Sequence, residues 1–390
     1  MSQKTYWPLM EDTITLKDRI KMSLFLLTSS RLTNGPKVRQ FEKEWSEWLG
    51  VKHSLYVSSG STANSLLISA VKEYYGLRDG DKVLVPSTTW MTNVAPVFQA
   101  GLQPIFCDIN LQNFSFDIDE LKYVASVHPD IKAVFITHLI GLSSDVEKVR
   151  EIFPDALILE DVCESHGVEG PDGKKRGTNS VGSTFSFYFG HHMTTIEGGM
   201  VCTNNTELYE LMRLKRSHGM AREASPYIFE QYAKENPEID KMFLFMTDGY
   251  NFRNHEVCAV LGLSQLKRLD KNIQIRRDNY EFFNQKLLES KEYYIPEYQI
   301  GNSSFSFPLI SIDRKSVGLI KHTLDENGIE FRPVISGNLL RHPAFKRYKL
   351  CTQKENPNVE ILHKNGLYVG NSQYVTKKKI DRLFNILKGI

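Results

Sequence analysis

Cysteine is scarce in this chain, with five in 390 residues, at positions 107, 163, 202, 258 and 351. No two stand close enough for a zinc spacing or an iron–sulfur run, so cluster and structural-metal chemistry is not expected. Scattered single cysteines in a chain that shows no secretion signal read as small core residues. Charge of one sign is also lacking: 48 basic residues face 46 acidic ones, for a formal net charge of +2. That balance gives no electrostatic case for binding nucleic acid or a membrane surface. No apolar stretch reaches spanning length, since SLFLLT and VLVP are soon interrupted. The start, MSQKTYWPLMEDT, lacks the basic-then-apolar pattern of a secretory signal, which makes a cytoplasmic location the expectation. Internal repeats and low-complexity tracts are missing too.

What remains is a soluble globular composition, 41% hydrophobic and 24% charged. The length suits one large and one small domain, and burial in a chain of this size needs no disulfides or metals. Helical spacing covers Thr13–Leu27 and, after the breaker Asn34-Gly35-Pro36, Lys37–Leu49. His53–Val57 reads as a strand leading into a helix that opens at Gly60-Ser61 and runs to about Tyr75. Strand-like runs recur at Lys82–Val85, Pro104–Cys107, Ala133–Thr137 and Leu157–Leu159. Helices at Thr92–Ala100, Ile118–Val127 and Asp145–Phe153 separate them. This alternation implies an α/β fold with a mostly parallel sheet covered on both faces.

Ser183–Tyr188 and Gly199–Thr203 read as two further strands flanking a loop, followed by a helix at Thr206–Ser217. Glu223–Asp248 has no clear period and reads as a substrate-side loop. One long amphipathic helix is expected over Glu256–Leu288. A strand at Phe305–Ser311 and helices at Lys315–Asn327 and Lys377–Leu387 suit a small α+β domain. These readings divide the chain into a large domain, 1–255, and a small one, 256–390, with the boundary within the long helix.

Two segments offer chemistry. In Ser58-Ser59-Gly60-Ser61-Thr62-Ala63-Asn64, a strand ends and small hydroxyl residues start a helix, so the first N–H groups form an anion site. A Ser/Thr N-cap without a ligand is the plainer alternative. In Leu159-Glu160-Asp161-Val162-Cys163-Glu164, carboxylates stand at the end of an apolar strand, where α/β proteins place their sites. Asp161 is what a pyridine nitrogen needs to stay protonated, and it is equally what a helix N-cap needs.

A third segment, Ser186-Phe187-Tyr188-Phe189-Gly190-His191-His192-Met193-Thr194-Thr195-Ile196-Glu197-Gly198-Gly199, narrows these alternatives. Together with Gly249-Tyr250-Asn251-Phe252-Arg253, Ser217-His218-Gly219 and Arg222, it resembles the sugar aminotransferases that use pyridoxal 5'-phosphate (PLP), the DegT/StrS group. The likeness runs from Thr33-Asn34-Gly35-Pro36 to Arg332-Pro333. It implies the aspartate-aminotransferase type of fold (PLP fold type I) and a homodimer with shared active sites. Carried over position by position, Gly60, Ser61 and Thr62 match the phosphate turn, with Ser186 as a further hydroxyl donor. Trp90 matches the aromatic residue on the ring face, Asp161 the pyridine-nitrogen partner and Glu164 the residue near the ring hydroxyl. Asn251 matches an asparagine reaching the phosphate of the partner subunit. His218, Arg222 and Arg332 are candidates for the nucleotide sugar or the amino donor, each with a purely structural alternative.

One position departs from the family. Six residues before the Glu of Glu197-Gly198-Gly199, the aminotransferases carry lysine and this chain carries His191. Imidazole cannot form the Schiff base that a lysine amine forms. PLP and its aminated form, pyridoxamine 5'-phosphate, are therefore expected to bind noncovalently. The histidine resembles the branch of 3-dehydratases that make 3,6-dideoxy sugars. It implies a GDP-linked 4-keto-6-deoxy sugar (hexose or heptose) as substrate, His191 as the acid–base group and L-glutamate as amino donor. His192 reads as loop packing or support for its neighbour. Two alternatives stand beside this reading: an aminotransferase with an altered lysine, and a non-catalytic PLP-binding relative.

Overall fold

The computed structural model describes residues 5–346, 356–388 and 390. Two helices come first, α1 (Leu16–Thr28) and α2 (Pro36–Leu49). A capping box starts α1: the Thr15 hydroxyl accepts from the Asp18 N–H, and the Asp18 carboxylate accepts from the Thr15 N–H at 2.9 Å. α2 starts without a cap of its own. Its orphan N–H groups at Gly35, Lys37 and Val38 donate instead to the carboxylate of Glu256, at 2.9, 3.0 and 2.9 Å.

Alternating elements follow: β1 (His53–Val57), α3 (Gly60–Tyr74), β2 (Lys82–Pro86), α4 (Met91–Gln99), β3 (Gln103–Cys107), α5 (Ile118–Val127), β4 (Ile131–Thr137), α6 (Val146–Ile152), β5 (Leu157–Asp161), β6 (Gly182–Ser186), β7 (Gly199–Thr203) and α7 (Thr206–Arg216). The strands make one seven-stranded sheet in the order β1-β7-β6-β5-β4-β2-β3. β7 pairs antiparallel with both β1 and β6, while the other pairings are parallel. Both faces are covered, as strand residues show by going alternately to different cores. Val83, Val85 and Phe135 join the cluster under α3, while Leu84, Val134 and Ile136 join the one under α5 and α6.

The remainder holds α8 (Pro226–Glu235), α9 (Glu256–Leu266), α10 (Leu269–Leu288), β8 (Tyr293–Tyr294), β9 (Ser306–Ser311), α11 (Ser316–Glu326), β10 (Phe331–Pro333), α12 (Pro343–Lys346), α13 (Pro357–Asn365), β11 (Gly366–Gly370) and α14 (Lys377–Leu387). Its four strands form an antiparallel sheet, β10-β11-β9-β8. That sheet shares a core with α10 and α14 through Phe283, Leu287, Phe307 and Leu383, and the same core takes in Trp7, Ile109 and Leu139.

Two expectations need correction. The segment Glu256–Leu288 is two helices rather than one. Arg268 leaves the helical region (φ −121°, ψ 5°), and its guanidinium bonds the Ser264 and Thr13 carbonyls and the Asp18 carboxylate, tying the break to α1. Glu223–Asp248 is not all loop, because Pro226 starts the regular helix α8, none of whose residues is buried. Of the cysteines, Cys107 and Cys202 are buried, Cys163 and Cys258 are half-buried, and Cys351 lies outside the described residues. Among the described residues no helix is long and apolar enough to cross a membrane.

Candidate active site

The turn between β1 and α3 carries both features its sequence suggested. Ser59 caps the helix, accepting from the Thr62 N–H at 3.1 Å, while the Thr62 hydroxyl accepts from the Ser59 N–H at 2.9 Å. Thr62 is thus spent on the cap. The N–H groups of Gly60 and Ser61 remain without a partner inside the helix. Ser186, at the end of β6, stands directly against this turn. A side chain at Gly60 would come within 2.6 Å of the Ser186 Cβ and 3.1 Å of the Cys163 sulfur. A side chain at Gly199 would come within 2.3 Å of the Ser59 carbonyl. Both glycines are needed for the strand ends and the helix terminus to meet this closely.

Asp161 ends β5 beside that turn, 3% exposed. No helix follows it, so it caps none. Its Oδ1 accepts from the Cys163 N–H at 3.0 Å, and its Oδ2 accepts from the Asn64 amide at 2.8 Å. Asn64 is fixed in turn by the Thr184 hydroxyl, which donates to it at 2.6 Å, and by its own bond to the Thr92 carbonyl at 3.0 Å. Trp90 precedes the first turn of α4, where Thr92 and Asn93 touch Asn64 and Asp161, and its ring is 58% exposed. A large exposed aromatic beside a buried, oriented carboxylate is a face offered to a flat ligand. Glu164, three residues on, accepts from the Ile140 N–H at 3.2 Å. Burial, with the nearby Asp161 charge adding to it, pushes its carboxyl up to about 8.

His191 lies in the loop between β6 and β7. Its ring is half-buried, with Phe305 5.4 Å and His166 6.1 Å away between ring centres, and its Nδ1 is buried without a partner. Burial, and after it the positive charge of Arg276, brings the imidazole down to about 3. His192 behaves differently: it is fully buried and its Nε2–H donates to the Ser303 carbonyl at 2.9 Å. It is therefore a clamp on the chain behind His191. His166 is buried as well, and neither of its ring nitrogens has a partner. Among the described residues no cluster of His, Cys, Asp and Glu is arranged to hold a metal.

The remaining candidates are not gathered into this cluster by one chain. Asn251 is exposed and accepts from Arg253 Nε at 3.0 Å, and Arg253 in turn lies 3.4 Å from His218 Nε2. His218 itself holds a left-handed backbone (φ +65°), an uncommon conformation for a residue with a side chain. Arg222 bonds the Met242 carbonyl at 3.1 Å and lies 5.9 Å from the Phe243 ring centre. Arg332 is exposed on β10 opposite Tyr368. That phenol is pushed up by burial and after it by the Glu164 charge, and pulled down by Arg332.

Asn64, His166 and Arg276 carry much of this geometry and were not singled out from the sequence. Asn64 alone had a signal, being part of the helix-opening motif. The residues present fit a phosphorylated pyridine: two helix-terminal N–H groups with the Ser186 hydroxyl on one side, and on the other a buried carboxylate that has no cationic partner among the described residues. No lysine is available at position 191 to hold it covalently.

Comparison with known proteins agrees with this chemistry. Residues 14–388 match the DegT/DnrJ/EryC1/StrS aminotransferase family. The GDP-4-keto-6-deoxy-D-mannose 3-dehydratase of Yersinia pseudotuberculosis is 36% identical over 372 residues, which cover 93% of each chain. Among solved structures, the Escherichia coli GDP-4-keto-6-deoxy-D-mannose-3-dehydratase with bound hydrated PLP superposes with a TM-score of 0.91 at 31% identity, covering 99% of this chain and 100% of that one. A GDP-4-keto-6-deoxymannose-3-dehydratase with a trapped PLP-glutamate geminal diamine superposes with a TM-score of 0.88, again at 31% identity, covering 98% and 100%.

Proposed function

The chain belongs to the DegT/DnrJ/EryC1/StrS aminotransferase family, and we propose that within it the protein is a dehydratase that removes the C3 hydroxyl of a GDP-linked 4-keto-6-deoxy sugar. Its fold is the α/β aspartate-aminotransferase type. The observation that carries the reading is His191: an imidazole whose Nδ1 has no partner stands where the family's aminotransferases carry lysine, in a chain that keeps the buried carboxylate Asp161. Likeness to the GDP-sugar dehydratases named above, over nearly the whole chain, supports the substrate class.

In this reading the N–H groups of Gly60 and Ser61, with the Ser186 hydroxyl, hold the cofactor phosphate, and Thr62 holds the turn that presents them. Asp161 holds the pyridine nitrogen, Trp90 covers the ring face and Glu164 lies by the ring hydroxyl. When bound, pyridoxamine 5'-phosphate supplies an amine for the C4 ketone and a π-system that accepts electrons. His191 does the proton work, accepting a proton on an unpartnered ring nitrogen and returning one to the departing C3 oxygen, which leaves as water. No amine stands at position 191 to compete for the cofactor or to complete an amino transfer. Glutamate restores the amine. The sum balances: keto sugar and glutamate give the 3-deoxy keto sugar, 2-oxoglutarate and ammonia, the water lost at C3 equalling the water used in releasing ammonia.

A homodimer, in which Asn251 of one protomer completes the phosphate site of the other, belongs to the same proposal. So do sugar or donor contacts by His218, Arg222 and Arg332, a division into domains 1–255 and 256–390, and a cytoplasmic location. The test is mass spectrometry of the product from GDP-4-keto-6-deoxymannose, PLP and glutamate. Loss of one oxygen with consumption of glutamate supports a dehydratase; a product carrying a new amino group identifies an aminotransferase instead. Cofactor capture without turnover of hexose or heptose substrates identifies a non-catalytic relative.

A further inference from the structure

We propose that Arg276, which lies outside the set of groups meeting the cofactor or the sugar, is the positioning residue for His191. From the middle of α10 it fixes the wall behind the His191 ring and places an unpaired positive charge in the packing around that ring. The inference rests on the reading of His191 as the base.

The geometry is that of a clamp. Arg276 is 2% exposed, and one of its terminal nitrogens donates both to the Phe305 carbonyl at 3.1 Å and to the Asn371 carbonyl at 2.5 Å. Asn371 returns a bond to the Arg276 carbonyl at 3.0 Å and sends another to the Ser304 hydroxyl at 3.0 Å. The same three-residue wall is held from the other chain segments. His192 donates to the Ser303 carbonyl, and the N–H groups of Ser303 and Phe305 donate to the Gly141 and Ile140 carbonyls at 2.8 and 2.9 Å. Ser304, at its centre, is forced to a positive φ of 35°. Strain so heavily clamped, next to a candidate base, points to a surface whose position matters. Phe305 then presents its ring to His191.

The charge follows from the same packing. Among the described residues Arg276 has no carboxylate partner, its Nε is buried without an acceptor, and burial brings the guanidinium down to about 10. An uncompensated buried cation disfavours a second positive charge nearby. The groups whose rings pack against His191 are Tyr188 from its own loop, His166 from the segment after β5 and Phe305 before β9, with His192 adjacent in sequence. None brings a negative charge. Arg276 is the charged group that acts on His191, and it acts on His166 and His192 as well.

The test is a ring-carbon NMR titration of the full-length chain without cofactor, the His191 signal being assigned by its loss in His191→Asn. The expected wild-type midpoint is well below the ordinary histidine value of about 6.5. Arg276→Gln should raise it by about one unit or more, whereas Arg276→Lys, which keeps the charge, should leave it within about half a unit. In turnover, Arg276→Gln should lower kcat about tenfold, equally at pH 6 and pH 8, with KM little changed, because the ring stays unprotonated at both while the wall behind it loosens; Arg276→Lys should restore most of it. A wild-type midpoint near 6.5 overturns the proposal, and it can be read even if Arg276→Gln does not fold. A folded Arg276→Gln with an unmoved midpoint overturns it too. If no variant makes product yet the midpoint still follows Arg276, the dehydratase reading fails and the inference about the imidazole stands.

Discussion

At the carboxyl ends of β5 and β6, the carboxylate and the chain around it are held by a relay of hydrogen bonds. Asp161 is held by Asn64 and the Cys163 N–H, Asn64 by Thr184, and the wall behind His191 by His192 and Arg276. Along residues 218–251 the opposite is found. Asn251 is exposed, Phe243 is 62% and Tyr227 81% exposed, and α8 buries nothing. A carboxylate fixed from two sides is committed to one geometry, which suits a cofactor whose shape never changes. An exposed aromatic edge with few bonds is adaptable, and it is incomplete until a ligand or a second protomer covers it. In the proposed reading, reaction type belongs to the buried side and sugar identity to the open one.

The largest effect that would break this division is expected at His191. Replacing it by Asn should lower turnover by about 10²–10⁴ while cofactor affinity, measured by absorbance titration, stays within about threefold. A variant that keeps full turnover would remove the imidazole from the chemistry. Next in size is Asp161→Ala, which leaves the buried Asn64 amide with the Thr92 carbonyl but without its carboxylate acceptor. Denaturant unfolding should show a loss of about 1–3 kcal/mol, together with weaker cofactor binding. Trp90→Ala sharpens the contrast, because its ring is exposed. Cofactor affinity should fall by the about 0.5–1.5 kcal/mol an aromatic pair contributes, with no loss of stability in the protein alone.

A pH series probes the buried side as a whole. Burial is the largest cause pulling His166, His191 and His192 below the ordinary histidine value, His191 to about 3. Their unfolded forms therefore bind protons first as pH falls. The stability they preserve is present above about pH 6.5 and is lost progressively toward pH 3. Glu164, raised to about 8, acts with the opposite sign: its contribution is present below the ordinary carboxylate value of about 4.5 and is lost as pH rises through about 8. Urea midpoints between pH 7 and 4 should fall less steeply in His191→Asn than in the wild type. The smallest effect is expected on the open side. Phe243→Ala should change stability by no more than about 0.5 kcal/mol while raising KM for the keto sugar several-fold.

These contrasts also explain what sequence patterning could reach. The sheet was legible because β2, β4, β5, β6 and β7 are nearly continuous apolar or small-residue runs between breakers. α8 was not, lying within a segment of mixed Glu, Phe, Tyr and Pro, and none of its residues is buried to mark a packed face. The break between α9 and α10 was hidden because Arg268 is turned aside by Asp18, 250 residues away. Glu256 capping α2 is the same kind of event. In the site, the motif residues Gly60, Asp161, Ser186 and His191 could be named from local pattern and family likeness. His166 and Arg276 acquire meaning only from rings and carbonyls that the fold brings beside them.

In the proposed mechanism an imidazole in place of a lysine turns this site from amine transfer to loss of the C3 hydroxyl. The most direct measurement of this is proton NMR of the sugar product formed in D₂O from GDP-4-keto-6-deoxymannose, PLP and glutamate. The account predicts a C3 methylene carrying deuterium, a carbonyl retained at C4, and no such product from His191→Asn. A product with its C3 hydroxyl intact and an amine at C4 would contradict it.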